Sequence, residues 1–214
     1  MFEMGCPLVI LGCNTASAKA LRSIQTCDLP EWDPSRRVLG VIRPTAEIIG
    51  TLTKNNHVGL LATEGTVISH SYDLEIKKFW PDIKVSGVAC PFCVPLVEYN
   101  EADSPGADYV VKKRIDELMR KDNDIDTIIL GCTHYPILMP KIIKYVKPGV
   151  RIIPQGEYIA DSLKTYLDRH DTIESQITHG GSCRYYTTEN PDKFKESAQI
   201  FLHEKVTVNH VDLE

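Results

Sequence analysis

The chain has 214 residues, of which 43% are apolar and 25% are charged, and its formal net charge is −5. This length is typical of one large domain or two small ones. The acidic balance and the lack of a long basic run argue against nucleic acid as a partner, and the longest apolar runs, such as residues 7–11, are too short to span a membrane.

Short β-rich runs alternate with longer helical patterns along most of the chain. Strands are predicted at residues 8–11, 38–41, 57–62, 84–89, 127–130 and 151–153, and helices at residues 16–26, 45–54, 66–79, 108–120, 136–146 and 157–167. In helix 108–120, Val111, Ile115 and Leu118 form an apolar stripe. Apolar strands that are separated by helices indicate a parallel sheet buried on both faces, and hence an α/β fold.

The C-terminal part has a different order of elements. From Cys183 onward the pattern predicts a strand, a helix and a second strand. Asn190 is a suitable N-cap for this helix, and Pro191 suits its first position.

One short motif occurs twice. The residues Ile-Leu-Gly-Cys stand at 10–13 and again at 129–132, each time at the end of a predicted strand and before a predicted helix. Ligands of open α/β sheets bind beyond the carboxyl ends of the strands. Cys13 and Cys132 are therefore expected to face a ligand crevice.

The residues around these two cysteines suit acid–base chemistry. A helix N-terminus favours thiolate over thiol and is expected to lower the cysteine pKa below about 8.5. Asn14-Thr15 follows the first cysteine and Thr133-His134 the second, and these side chains can bond a thiolate or an anionic substrate. The pattern predicts two activated thiols and a small anionic ligand.

The remaining cysteines leave one alternative open. Seven cysteines are an odd number for a disulfide framework, and the N-terminus has no basic region before its apolar segment, so mostly free thiols in the cytoplasm are expected. Cys90 and Cys93 form a C-x-x-C pair that could bind zinc together with Cys132 and His134. A second closely spaced ligand pair in a small loop-rich unit is missing, so no metal site is predicted.

Five ordered segments resemble the glutamate racemases, within the wider aspartate/glutamate racemase group. They are LGCNTASA (11–18), GVIRPTAE (40–47), LLATEGTVISHSY (60–72), ACPFCVPLVE (89–98) and ILGCTHYPIL (129–138). The resemblance implies two pseudo-symmetric three-layer lobes with mainly parallel sheets and an active site in the cleft between them. The first lobe would comprise residues 1–39 and about 160–214, and the second residues from about 40 to 159.

The resemblance also implies an isomerase that interconverts L- and D-glutamate without a cofactor. One cysteine would remove the α-proton while the opposite cysteine delivers a proton to the other face. By position, Cys13 resembles the thiol that acts on D-glutamate and Cys132 the thiol that acts on L-glutamate. Asn14-Thr15 and Thr133-His134 would hold the amino and carboxylate groups of the substrate.

Three further roles follow from the same resemblance. Thr66 would donate a hydrogen bond to the substrate, Glu98 would tune the Cys132 side, and His134 would assist proton transfer at Cys132. The product would be D-glutamate for peptidoglycan, and thus for cell wall biogenesis and cell shape.

The N-terminus departs from the family pattern. Glutamate racemases carry an Asp-Ser-Gly and a Tyr-Gly segment before Cys-Asn-Thr, whereas Cys13 lies close to the start of this chain. The first lobe is therefore expected to be incomplete, with open sheet edges that favour pairing with another chain, such as a homodimer. Low or no activity of the chain alone is expected.

Two other functions compete with this interpretation. An aspartate racemase would share the fold, although the segments around both cysteines and PLVE (95–98) have the glutamate-type form. A non-catalytic binding or regulatory protein could also retain the fold.

Overall fold

The computed structural model describes residues 1–212, apart from the side chain of Ile200. The chain forms two compact units, Met1–Gln176 and Ile177–Glu214. Within the described residues, every helix is too short or too polar to cross a lipid bilayer.

The strands of the first unit form two parallel sheets. They are β1 (Leu8–Leu11), β2 (Arg37–Gly40), β3 (His57–Ala62), β4 (Lys84–Ala89), β5 (Thr127–Gly131) and β6 (Arg151–Ile153). Strands β1 and β2 pair with each other, and the larger sheet has the order β4-β3-β5-β6. All of these pairs are parallel, so the carboxyl ends of neighbouring strands meet at one edge.

Helices separate these strands. They are α1 (Asn14–Lys19), α2 (Leu21–Ser23), α3 (Leu29–Trp32), α4 (Ile42–Leu52), α5 (Glu64–Ile68), α6 (Ser71–Phe79), α7 (Cys93–Glu98), α8 (Pro105–Lys121), α9 (Met139–Tyr145), α10 (Gly156–Leu167) and α11 (Asp171–Glu174). A π-helical turn, Ile24–Asp28, lies between α2 and α3, and a 3₁₀ helix, Tyr135–Leu138, precedes α9.

The larger sheet forms the centre of the core. All five residues of β5 are buried, as are five of the six in β3, because helices cover both faces of these strands. Helix α8 buries a stripe that includes Val111, Ile115 and Leu118, as its apolar spacing predicts.

One glycine allows strand β5 to pack closely. A Cβ atom on Gly131 would lie 2.8 Å from Leu60 Cδ1 and 3.1 Å from Ala62 Cβ. Any larger residue at Gly131 would therefore have to displace the buried Leu60 side chain. A Cβ atom on Gly12, the corresponding glycine of the first motif, would meet no heavy atom within 4 Å.

A buried carboxylate fixes the opposite, N-terminal ends of the strands. Asp122 follows α8 and its side chain is 3% exposed. Its oxygen Oδ2 lies 2.8 Å from His57 Nδ1 and 2.9 Å from Lys84 Nζ. Burial raises the pKa of Asp122, but the hydrogen bonds from Lys84 and His57 outweigh it and lower this pKa to about 2.

The second unit has the predicted strand–helix–strand order. It contains β7 (Tyr185–Thr187), α12 (Pro191–Leu202) and β8 (Val208–His210), and β7 pairs with β8 in parallel. The Asn190 side chain accepts a hydrogen bond from the backbone N–H of Asp192 at 2.8 Å, which confirms the predicted N-cap.

The predicted α/β class with parallel sheets is confirmed, and each predicted strand matches an observed strand within one residue at either end. Three predicted helices are interrupted. The run predicted at 16–26 is divided among α1, α2 and the π-helical turn, and the run at 66–79 breaks at His70, whose φ is 52°. The run at 136–146 begins as the 3₁₀ helix, because Pro136 and Pro140 cannot donate helical hydrogen bonds.

Candidate active site

The predicted site residues lie beyond the carboxyl ends of parallel strands. Cys13 to Thr15 follow β1, Thr66 lies in the helix after β3, Glu98 ends the helix after β4, and Cys132 to His134 follow β5. Gln155 follows β6 in the same way. This arrangement is the one in which α/β sheets bind their ligands.

Cys132 lies at the end of β5 and is only 7% exposed. Burial raises the pKa of its thiol, and the charge of Cys13 raises it further. The backbone N–H groups of His134 and Tyr135 lower this pKa but do not outweigh burial. The prediction of a lowered pKa is therefore wrong for Cys132, since burial depends on tertiary packing that the local motif does not reveal.

Cys13 has different surroundings although the preceding residues are the same. It is the N-cap residue of α1 and is exposed. Asn14, which follows Cys13, accepts a hydrogen bond from Tyr72, and a Cβ atom on Gly131, which precedes Cys132, would lie 3.4 Å from Tyr72 Cε2. Tyr72 therefore lies beside a residue adjacent to each of the two cysteines.

Cys132 is linked to two of the predicted side chains. His134 Nδ1 lies 3.8 Å from Cys132 Sγ, and His134 Nε2 lies 2.5 Å from Glu98 Oε1. The Thr133 hydroxyl lies 3.4 Å from the same Nδ1. When the Glu98 carboxylate accepts a hydrogen bond from the Nε2–H of neutral His134, the proton of the ring is on Nε2 and Nδ1 carries none. His134 Nδ1 can then take a proton from the Cys132 thiol.

Three threonine hydroxyls connect the first motif to the helix after β3. Thr15 Oγ1 lies 2.7 Å from Thr63 Oγ1 and 3.2 Å from Thr66 Oγ1, and the last two atoms are 3.1 Å apart. Thr66 is fully buried, whereas Thr15 is partly exposed. The role of Thr66 as a direct donor to the substrate stays a prediction.

Asn14 points into the protein interior. Its side-chain oxygen accepts a hydrogen bond from Tyr72 at 2.6 Å, and its Nδ2 donates to Gln155 Oε1 at 2.9 Å. All three side chains are buried. These bonds use the oxygen and one N–H of Asn14.

Cys90 and Cys93, the pair considered as zinc ligands, are joined by a disulfide. Both are buried, and the Tyr135 hydroxyl donates to the Cys90 carbonyl oxygen at 3.0 Å. The other five cysteines are free thiols, in line with the prediction of mostly free thiols.

Three side chains with atoms that can bind cations lie close together at the opposite ends of the strands. His57, Asp122 and Asp124 have ligand atoms within 4.8 Å of one another. The Lys84 ammonium group already neutralises Asp122 there.

Sequence reasoning missed Thr63, Tyr72 and Gln155. Thr63 and Gln155 carry a usable signal, because each is a polar residue just beyond a predicted strand. Tyr72 lies inside α6, and only the folded structure brings it to Asn14.

The sequence model of the Asp/Glu/Hydantoin racemase family matches residues 1–162. A glutamate racemase of Listeria monocytogenes (strain HCC23) is 36% identical over all of this chain and 77% of its own length. A glutamate racemase of Streptococcus pyogenes serotype M6 is also 36% identical, over 96% of this chain and 75% of its own length. The chain thus spans about three quarters of the length of these relatives.

Solved structures give the same result. The glutamate racemase isoform RacE1 of Bacillus anthracis matches with a TM-score of 0.84 and 32% identity, covering 97% of this chain and 74% of its own. The glutamate racemase of Francisella tularensis, solved in complex with D-glutamate, matches with a TM-score of 0.83 and 28% identity, covering 99% of this chain and 75% of its own. The chain therefore belongs to the Asp/Glu/Hydantoin racemase family, in its glutamate racemase group, and is an amino-acid racemase.

Proposed function

We propose that this racemase interconverts L- and D-glutamate by proton transfer between two thiols and the α-carbon, without a cofactor. The observation that carries the proposal is that Cys13 and Cys132 both follow the carboxyl ends of parallel strands, with Tyr72 beside a residue adjacent to each of them. The D-glutamate complex of the Francisella relative supports glutamate as the substrate.

The reaction needs one base and one acid on opposite faces of the substrate. With L-glutamate, the Cys132 thiolate takes the α-proton, so that the Cα–H bond breaks and an S–H bond forms. The carbanion then takes a proton from the Cys13 thiol and becomes D-glutamate, and the reverse reaction exchanges the two roles. Asn14, Thr15 and Thr133 hold the amino and carboxylate groups, because donors aimed at the carboxylate stabilise the developing charge.

Cys132 needs help to act as a base, because burial raises its pKa and keeps it mostly as the thiol near neutral pH. His134 is placed to take this proton, with Nδ1 3.8 Å from the sulfur. Glu98 contacts the other ring nitrogen and stabilises the imidazolium that forms. We therefore assign His134 as the base that activates Cys132, and Glu98 as its partner.

Racemisation in deuterated water tests the two-thiol mechanism. Wild type should incorporate deuterium at the α-carbon, and Cys13→Ser and Cys132→Ser should each lose racemisation by about 10²-fold to 10⁴-fold, since each removes an acid–base group. Cys27→Ser, at an exposed cysteine, is the matched control and should retain wild-type activity. Unchanged turnover in either active-site variant would remove that cysteine from the mechanism.

Substrate choice is measured in the same assay. Faster α-proton exchange of aspartate than of glutamate would make the protein an aspartate racemase. Absence of exchange with both amino acids would favour a binding or regulatory protein that retains the fold.

We further propose that the product supplies peptidoglycan synthesis in the cytoplasm. Growth of a D-glutamate auxotroph that expresses the chain tests this role. Three expectations from the sequence stay predictions. They are a homodimer, low activity of the 214-residue chain, and a division into one lobe at residues 1–39 with about 160–214 and another at about 40–159. Light scattering gives the oligomeric state, and kcat/KM measured beside that of the Listeria relative gives the relative activity.

A further inference from the structure

Four buried polar side chains are hydrogen-bonded to one another near Cys13. They come from four separate elements, and all of them are at most 6% exposed: Asn14 in α1, Thr45 in α4, Tyr72 in α6 and Gln155 at the start of α10. Buried polar groups are costly unless they are hydrogen-bonded, so such a cluster needs a complete set of partners.

Three of these side chains form a closed ring of hydrogen bonds. Asn14 Nδ2 donates to Gln155 Oε1 at 2.9 Å, Gln155 Nε2 donates to the Tyr72 hydroxyl at 2.6 Å, and this hydroxyl donates to Asn14 Oδ1 at 2.6 Å. Gln155 Nε2 also donates to Thr45 Oγ1 at 2.8 Å. Each donor in the ring therefore has an acceptor, and the three bonds run in the same direction.

The ring requires an amide at position 155. One side-chain atom must accept from Asn14 while the other donates to Tyr72, and glutamine does both. A glutamate of the same shape can accept but, when ionised, cannot donate. Burial raises the pKa of Tyr72, which keeps its hydroxyl neutral and able to donate to Asn14.

We propose that Gln155 is a positioning residue for Cys13, which it acts on through Asn14. Asn14 follows Cys13 directly and is the first residue of α1, so the ring fixes the backbone that carries the Cys13 sulfur. The ring uses one N–H of Asn14 and leaves the other outside it, and the substrate contact proposed above for Asn14 would use this second N–H. The inference rests on the proposed two-thiol racemisation and adds a residue to it.

The second motif has a different support. Cys132 is buried and is flanked by the His134–Glu98 pair, whereas Cys13 is exposed at the N-cap of a short helix. The ring therefore supplies a constraint that the exposed thiol needs more than the buried one. An error of about 1 Å in the position of a reacting group costs about 10²-fold in rate.

The variant Gln155→Glu tests the role of the ring. Both enantiomers have the same free energy in water, so kcat/KM must fall equally in both directions, by about 10-fold to 100-fold. The diagnostic measurement is the primary isotope effect of α-deuterated substrate. This isotope effect should rise with D-glutamate, because Cys13 breaks the bond to deuterium in that direction. It should fall with L-glutamate, because the later delivery of a proton by Cys13 becomes the limiting step.

A purely structural role would lower the amount of folded enzyme and leave both isotope effects at their wild-type values. Tyr72→Phe removes the hydroxyl from the ring and should change the isotope effects in the same directions. This variant tests the inference if Gln155→Glu does not fold. Thr53→Val is the matched control, because it removes the hydrogen bond of a buried threonine to Asp126, outside the cluster, and should leave both isotope effects unchanged.

Two results are distinguishable. Wild-type isotope effects in folded Gln155→Glu or Tyr72→Phe, with normal exchange by wild type, would overturn the inference alone. Lack of α-proton exchange in wild type would overturn the proposed function, and the inference with it.

Discussion

Cys13 and Cys132 follow the same three residues, Ile-Leu-Gly, yet they differ in surroundings. Cys13 is exposed, and Cys132 is buried beside His134 and has a raised pKa. The sequence motif was sufficient to identify both cysteines as candidates, because a strand end followed by a polar pair is a local feature. The raised pKa of Cys132 arises mainly from burial, which depends on residues far away in the chain, and the motif could not reveal it.

The Glu98→Gln variant tests how Cys132 is activated. An amide cannot stabilise the imidazolium as a carboxylate does, so kcat at neutral pH should fall by about 10²-fold. The raised pKa of Cys132 keeps its sulfur protonated at neutral pH, where His134 must remove the proton. At higher pH the thiolate forms directly, so the reaction depends less on His134 as a base. The loss of kcat in Glu98→Gln should therefore be smaller at about pH 9 than at pH 7, and a pH–rate profile measures it.

Glu101→Gln is the matched control, since Glu101 is exposed and lies three residues from Glu98. It should keep the wild-type profile. A constant loss across the pH range in Glu98→Gln would contradict the activation of Cys132 through His134.

Among the elements, the apolar strands were predictable and the short helix α7 was not. Strand residues such as those of β3 and β5 form continuous apolar runs, which are visible without any tertiary information. Helix α7 has a proline at position 95 and only six residues, so its sequence has no clear helical period. The disulfide at its first residue is a local link to Cys90, whereas the Tyr135 bond to the Cys90 carbonyl is a tertiary contact that connects this segment to the residues after β5.

The same limit applies to the site. Cys13, Cys132 and their polar neighbours could be predicted because they follow strands directly. The ring of Asn14, Tyr72 and Gln155 joins residues up to 141 positions apart, and no local pattern connects them.

Gly131→Ala tests the close packing of β5 on β3. The added Cβ would lie 2.8 Å from Leu60 Cδ1, and overpacking of this kind should lower the free energy of unfolding by about 1–3 kcal/mol. The matched control is Gly12→Ala at the corresponding position of the first motif, where no heavy atom lies within 4 Å and little change is expected. Urea denaturation of both variants gives the comparison, and equal stabilities would contradict the packing argument.

For the whole molecule, Asp122 links stability to pH. Its pKa is lowered to about 2 in the folded protein, against about 3.9 for an unperturbed aspartate. Its contribution is therefore fully present above pH 4 or so and is lost as the pH falls through about 2. Stability in acid depends on this contact between α8 and the starts of β3 and β4.

Asp122→Asn should lower the free energy of unfolding at pH 7 by about 1–3 kcal/mol, because His57 and Lys84 lose their anionic partner. The difference from wild type should shrink as the pH falls from about 4 toward 2. Chemical denaturation at several pH values measures both effects. Asp82→Asn, at an exposed aspartate outside this cluster, is the control. A difference that stays constant with pH would contradict the assignment.

The parallel pairing of every described strand also has a consequence for how the chain reaches its native state. A hairpin turn cannot join parallel neighbours, so each pair must close a long crossover before its hydrogen bonds form. The entropy of loop closure is therefore lost early, and refolding from denaturant is expected to take milliseconds to seconds or longer, rather than microseconds. During this interval the unpaired strands β3 and β5 expose their apolar residues, so dilute solution should improve the recovery of native protein.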